Sequence, residues 1–260
     1  MIRQLFFAFL FFTLISCQKK QREPLILPSN GNINTLTVVT SNDLWAGTIG
    51  QTVRDMYAYP SEGLPQQEPL FDLKQIPPEI FTGFARASRS VLWVGLNDEV
   101  NVRIDKNSYA QPQTVAVFSA PTKTALVESI VSQSAQVIKT LRAQEREERL
   151  RRIKKSTFDK HGLSKKFGIS ITMPSAYKIF KEDENTSWFQ REIQKGHINI
   201  LVYASSYDEL IVRQKNLKKV IAQHDSIGKA FIPGRLPNSY LMTEKAYEPY
   251  LYSTFFSELF

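Results

Sequence analysis

Apolar positions follow one pattern at the start of the chain and another from Leu36 onward. The opening is a run from Leu5 to Ile15, preceded by a short stretch with Arg3 and closed by Leu14-Ile15-Ser16-Cys17. That order fits a secretory signal over residues 1–16, because a spanning helix needs about 20 apolar residues. Residues 18–34 are polar, carry Pro24, Pro28 and Gly31, and read as a flexible tether. Leu36–Thr40 is a β-branched strand. Ser41-Asn42-Asp43 then starts a helix in which Trp45, Ile49, Val53 and Met56 recur at helical spacing. Pro60, Gly63, Pro65 and Pro69 make a rigid loop, and a short helix follows Pro77-Pro78.

Three strands are predicted next, at Ser90–Leu96, Val100–Asp105 and Thr114–Ser119, with the first two joined as a hairpin through Gly95-Leu96-Asn97-Asp98. Pro121 opens a helix reaching about Lys155. Leu126, Ile130, Val137 and Leu141 share its apolar face with Ser134 between them, and Arg146, Arg149 and Lys155 are expected outside. Its second half offers three i,i+4 pairs, Glu145–Arg149, Glu147–Arg151 and Glu148–Arg152. Further on come a strand at Ile169–Met173, a hairpin of Trp188–Ile193 and Ile198–Tyr203 around Gln194-Lys195-Gly196-His197, and a helix bearing Leu210, Leu217 and Ile221. Gly228, Pro233, Gly234 and Pro237 break the segment after that helix. The expected fold over residues 35–260 is α+β, mostly antiparallel sheet packed with helices. It forms one domain, or two subdomains near 35–120 and 165–260 joined by the long helix at 121–155.

Composition changes this picture in two places. Cys17 is the only cysteine, so a disulfide is excluded, and its Leu-x-Ser-Cys setting resembles the bacterial lipobox. That resemblance implies diacylglyceryl and fatty-acyl (palmitate) attachment at Cys17, which would hold the chain on a membrane. With 42% hydrophobic residues a real core is expected. The formal charge of +8 points, in an exported protein, to anionic envelope polymers or lipid headgroups and not to nucleic acid. Much of it lies in Lys139–Lys155, where Lys139, Arg142, Arg146, Lys154 and Lys155 exceed the helix's acids. That segment is either an electrostatic patch or a solvated helix face.

Residues 62–73 (Glu62-Gly63-Leu64-Pro65-Gln66-Gln67-Glu68-Pro69-Leu70-Phe71-Asp72-Leu73) and Ile76-Pro77-Pro78 form one distinctive set. Asn42-Asp43-Leu44-Trp45, Asp225-Ser226-Ile227-Gly228-Lys229 and Ile232-Pro233-Gly234 accompany it. Together they resemble a family of Bacteroidetes envelope lipoproteins catalogued as domain-of-unknown-function family forty-eight thirty-seven. The resemblance spans nearly the whole mature chain. It implies an envelope lipoprotein of the same fold and supplies no catalytic residue. It also implies further strands past Tyr250, so the mostly apolar tail Tyr250–Phe260 is expected to pack irregularly, beside an exposed apolar patch.

Candidate chemistry is sparse. Ser175-x-x-Lys178 and Ser226-x-x-Lys229 match a Ser-x-x-Lys pattern without its companion Ser-Asp-Asn and Lys-Thr-Gly elements. His161, His197 and His224 lack partners at metal-ligand spacing, and no Gly-rich phosphate loop or nucleophile elbow is present, so no metal or cofactor is expected. The loop at 60–78 is the main candidate site. Leu64, Pro65, Glu68, Leu70, Phe71 and Asp72 either form a preorganised interaction surface or clasp the core. The resulting expectation is a lipid-anchored, non-enzymatic module of the outer membrane that binds an envelope protein or anionic polymer. It faces the periplasm, because Gln18-Lys19-Lys20 lacks an acidic export cluster. The alternative is an envelope hydrolase using dispersed carboxylates such as Glu68 and Asp72.

Overall fold

The computed structural model describes residues 26–61, 66–158, 162–204, 217–247 and 249. The fold is α+β. Contacts divide the chain into two units, the first taking the described residues up to Thr52 and Leu73–Gln133, the second Val53–Asp72 and the described residues from Ser134 onward.

The first half of the chain contributes short strand Leu27–Pro28 (β1), strand Thr35–Val39 (β2), helices Asn42–Ala46 (α1) and Thr48–Tyr57 (α2), and strands Asp72–Ile76 (β3), Ser90–Leu96 (β4), Asn101–Lys106 (β5), Ala110–Gln111 (β6) and Thr114–Ala120 (β7). Five of these strands form a sheet in the order β3-β2-β4-β7-β5. β2 runs parallel to β4 and β4 to β7, whereas β5 is antiparallel to β7. The expected hairpin between the first two long strands is therefore replaced, because β7 lies between β4 and β5. The reason is burial. All seven residues of β7 are buried, which demands a central position with a strand on either side. β5 alternates Val102 and Ile104 with Arg103 and Asp105 and suits an edge. Val39, Phe81, Val91, Val115 and Val117 form a core cluster here, with Trp93 and Tyr109 edge-on to Phe81.

Residues 27–34, read as the end of the tether, are tied to this sheet. β1 pairs with β6, the Ser29 and Asn30 amides donate to the Gln111 and Ala87 carbonyls, and the buried Arg89 guanidinium donates to the carbonyls of Gly31 at 3.1 Å and Asn32 at 2.7 Å. Buried Gln113 locks the neighbouring loop, its amide nitrogen donating to the Arg86 and Ser88 carbonyls and its oxygen accepting from the Tyr109 and Ala110 amides. Ser41 caps α1 by accepting from the Leu44 amide, as its position before the apolar run predicts. The single expected helix is broken at Gly47 into α1 and α2.

The long helix, Lys123–Lys154 (α3), has 32 residues. Leu126, Ile130, Ser134, Val137 and Leu141 are buried along one side, and Arg146, Arg149 and Lys155 are exposed, as the spacing required.

The second unit continues with Leu163–Phe167 (α4), strands Lys178–Glu182 (β8), Thr186–Ile193 (β9) and Gly196–Tyr203 (β10), and helix Leu217–Phe231 (α5). The three strands form an antiparallel sheet in the order β10-β9-β8. The expected hairpin is β9–β10, running from Gly196↔Ile193 to Tyr203↔Thr186, with Gly196 at φ 149° in a conformation that side chains disfavour. Its core cluster is Leu163, Met173, Tyr177 and Phe189. Ile169–Met173, expected as a strand, joins no ladder. Proline at 174 has no amide to continue one, and the segment is held instead by the Phe158 amide on the Met173 carbonyl and a Thr157–Pro174 bridge. Strand β8, whose five residues are all exposed, takes the edge place in its stead. Gly228, read as a break, lies inside α5. Leu210 and Tyr250–Phe260 lie outside the described residues.

Candidate functional site

The loop after α2 is closed at its base by main-chain bonds. The Phe71 amide donates to the Tyr57 carbonyl at 3.0 Å, Leu70 to Tyr59 at 2.8 Å, and Ser61 to Glu68 at 2.7 Å, with Pro60 bridging Pro69. Phe71 is fully buried, Leu70 is half-buried, and Glu68 and Asp72 are exposed. Leu64 and Pro65 lie outside the described residues. Phe71 therefore holds the loop from within, and among the described loop candidates only Glu68, Leu70 and Asp72 reach solvent.

The side-chain clusters with chemically active groups are joined in ways that serve structure. Ser175 shares a 2.7 Å hydrogen bond with Ser156, while Lys178 points into solvent from β8. Ser226 is exposed on α5, and Lys229 sits over the Tyr240 ring. His161 lies outside the described residues, and His197 is exposed on β10. His224 offers a closer approach to a relay, since its Nδ1 lies 3.1 Å from Asp225 Oδ1 and 3.2 Å from the Thr243 hydroxyl. A relay passes through both imidazole nitrogens, whereas here both contacts converge on one. The Thr243 hydroxyl and amide each donate to Asp225 at 2.7 Å. The Thr243 hydroxyl, and then His224, hold the Asp225 carboxyl below its ordinary range. This cluster fastens the segment around Thr243 to α5.

A second cluster joins α4 to the β8–β9 hairpin. Lys166 donates to Glu182 at 2.8 Å, and the buried Ser187 hydroxyl donates to the same carboxylate oxygen at 3.0 Å. The Lys166 ammonium holds Glu182 below its usual range, and Lys166 also donates to the Ser187 hydroxyl at 3.4 Å. Among the described residues no group of three or more His, Cys, Asp or Glu is placed to hold a metal ion.

Charge, by contrast, is organised. Past Leu141 the buried side of α3 continues as Gln144, Glu145 and Glu148. Glu148, almost wholly buried, accepts from Arg151 at 2.6 Å and Arg152 at 2.7 Å. The inward placement of Glu145 and Glu148 was legible in their spacing of four and seven residues from Leu141, but reading them as surface partners for Arg149 and Arg152 hid it. Outside stand Lys139, Arg142, Arg146 and Arg149, all exposed, with Glu147 the exposed acid of this half-helix.

Fold and surface together define a two-unit α+β chain with a mixed sheet in one unit, an antiparallel sheet in the other, and a strongly basic helix end. Two family models share it: residues 29–154 match a Domain of unknown function (DUF8532), and residues 155–258 match a Domain of unknown function (DUF4837). Of the residues that carry the family resemblance, Asn42–Pro78 fall under the first and Asp225–Gly234 under the second. No curated protein and no solved structure matches the chain. Among the described residues no helix is long and apolar enough to cross a membrane.

Proposed function

We propose that the chain is an envelope lipoprotein of the Bacteroidetes kind, anchored by acylated Cys17 to the outer membrane on its periplasmic side, and that it works by binding an anionic partner rather than by catalysis. The observation that carries the binding role is the exposed row Lys139, Arg142, Arg146 and Arg149, set away from the buried side of α3. Lys and Arg in a row attract anions and steer them to the surface. The loop held by buried Phe71, where Glu68, Leu70 and Asp72 reach solvent, is proposed as a second contact. The anchor rests on the opening of the sequence, an apolar run of signal length ending at a lone cysteine in a lipobox-like setting.

Replacing Cys17 by Ala should abolish labelling by radioactive fatty acid and move the protein out of the membrane fraction or leave it as precursor. Unchanged labelling would refute the anchor. Proteases added to intact cells should leave the wild-type protein whole, and its removal would place it on the outer surface. A photo-crosslinker at Arg146 should capture an anionic envelope component, and an unlabelled Arg146 face in cells would refute the binding role.

A further inference from the structure

Lys139, Arg142, Arg146 and Arg149 follow one another at intervals of three, four and three residues, so at about 1.5 Å per residue they line roughly 15 Å of a single side of α3. At 100° per residue that side lies well away from the one carrying Val137, Leu141, Gln144 and Glu148. None of the four cations makes an ion pair among the described residues. Two of the three C-terminal acids of the helix, Glu145 and Glu148, are buried, and Glu148 is taken up by Arg151 and Arg152. Leu150, 42% exposed, and half-buried Ile153 extend the same stripe beyond Arg149.

Three of the four cations are arginines, whose planar guanidinium meets a phosphate through two parallel hydrogen bonds. A stripe of arginines with an exposed leucine at its end offers phosphate contact with one apolar side chain beside it, and basic residues at a surface are each drawn to anionic lipid. We propose that this stripe docks on the phosphate layer of an anionic phospholipid bilayer. The inference rests on the anchored reading above. Acylation at Cys17, nine residues before Ile26, would keep the folded chain within about 30 Å of a bilayer, whereas a free polymer or protein has to be met by diffusion.

The test uses the full mature chain carrying Cys17→Ser, so that no acyl chain contributes, sedimented with vesicles of phosphatidylglycerol and phosphatidylcholine in equal parts or of phosphatidylcholine alone. Binding is expected only to the anionic vesicles and should weaken steeply with added salt. Each cation removed should weaken it about fivefold, so that Lys139→Gln, Arg142→Gln, Arg146→Gln and Arg149→Gln together lower it about a hundredfold or more. A control with the same loss of charge at exposed Lys123, Lys178, Lys195 and Lys245 should stay within a fewfold of wild type. Equal binding to both vesicle types, or equal loss in the stripe and control variants, would overturn the proposal. So would capture by soluble polyphosphate with stripe dependence but no vesicle binding, which assigns the stripe to a polymer. The anchor is read separately by fatty-acid labelling of the wild-type protein in cells. Labelling without stripe-dependent vesicle binding sinks the stripe alone, and stripe-dependent binding without labelling sinks the anchor alone.

Discussion

Gly228 shows how one atom decides a residue's role. In an exposed helix interior, alanine is more stable than glycine by about 0.5–1 kcal/mol. A methyl group at Gly228, however, would overlap the Leu241 carbonyl oxygen, so α5 and the segment at Leu241 approach as closely as they do only because no side chain intervenes. Gly228→Ala should therefore destabilise, by about 1–3 kcal/mol, lowering the urea midpoint, and a raised midpoint would show that the segment yields without cost. Sequence pattern marks such a glycine as a break because the partner it admits lies elsewhere in the chain. Glu182 makes a residue-scale statement about pH. Its folded pKa is depressed by Lys166, so the stability it contributes is present above the unfolded value of about 4.3 and is lost as pH falls through the lower, folded value. Lys166→Met should remove that contribution and move the acid-unfolding midpoint, followed by circular dichroism, to higher pH. Superimposable acid limbs would deny the pair a role. Tyr57 differs again. Burial pushes its phenol above the ordinary range, and Ser134 beside it tempers the shift without meeting it in hydrogen-bond geometry.

At the scale of elements, legibility followed periodicity. The long helix, its buried Leu126, Ile130, Val137 and Leu141, and the β9–β10 hairpin were all readable, because a 3.6-residue or two-residue repeat is a property of the segment itself. Elements defined by their neighbours were not. β8, with Lys178-Ile179-Phe180-Lys181-Glu182 wholly exposed and a bulge between Ile179 and Lys181, has no clean alternation to read. Ile169–Met173 has the right composition and no partner strand. The candidate loop was half legible: its prolines announced a rigid segment, but only the structure separated buried Phe71 from exposed Glu68 and Asp72. Phe71→Ala should cost about 3–5 kcal/mol in a chemical-denaturation experiment, the range for a large aromatic removed from a core. A loss well below 1 kcal/mol would mean that the loop is not clasped by this residue.

On the scale of the whole molecule, charge is unevenly shared. In the described first unit Lys74, Arg86, Arg89, Arg103, Lys106 and Lys123 are matched in number by Asp43, Glu79, Asp98, Glu99, Asp105 and Glu128, so the positive excess of the described chain falls in the second unit. The family models meet at Lys154–Lys155, the end of α3, whereas the contact-based division passes through α2 and α3. The sheet order has a kinetic side as well. During synthesis β4 and β5 leave the ribosome before β7, the strand that must come to lie between them. Until then the short connection Asn97–Val100 invites β4 and β5 to zip directly, and its closure costs somewhat less entropy than closing residues 107–113 between β5 and β7. The turn that suggests a hairpin thus predicts a detour in folding, a pairing to be undone before the sheet is completed. Asp98→Gly, creating the Asn-Gly pair that most favours a tight hairpin, should slow refolding in stopped-flow fluorescence while changing the unfolding rate much less. Faster refolding would mean that the direct β4–β5 pairing never competes, and that β7 finds its place before its neighbours can close on each other.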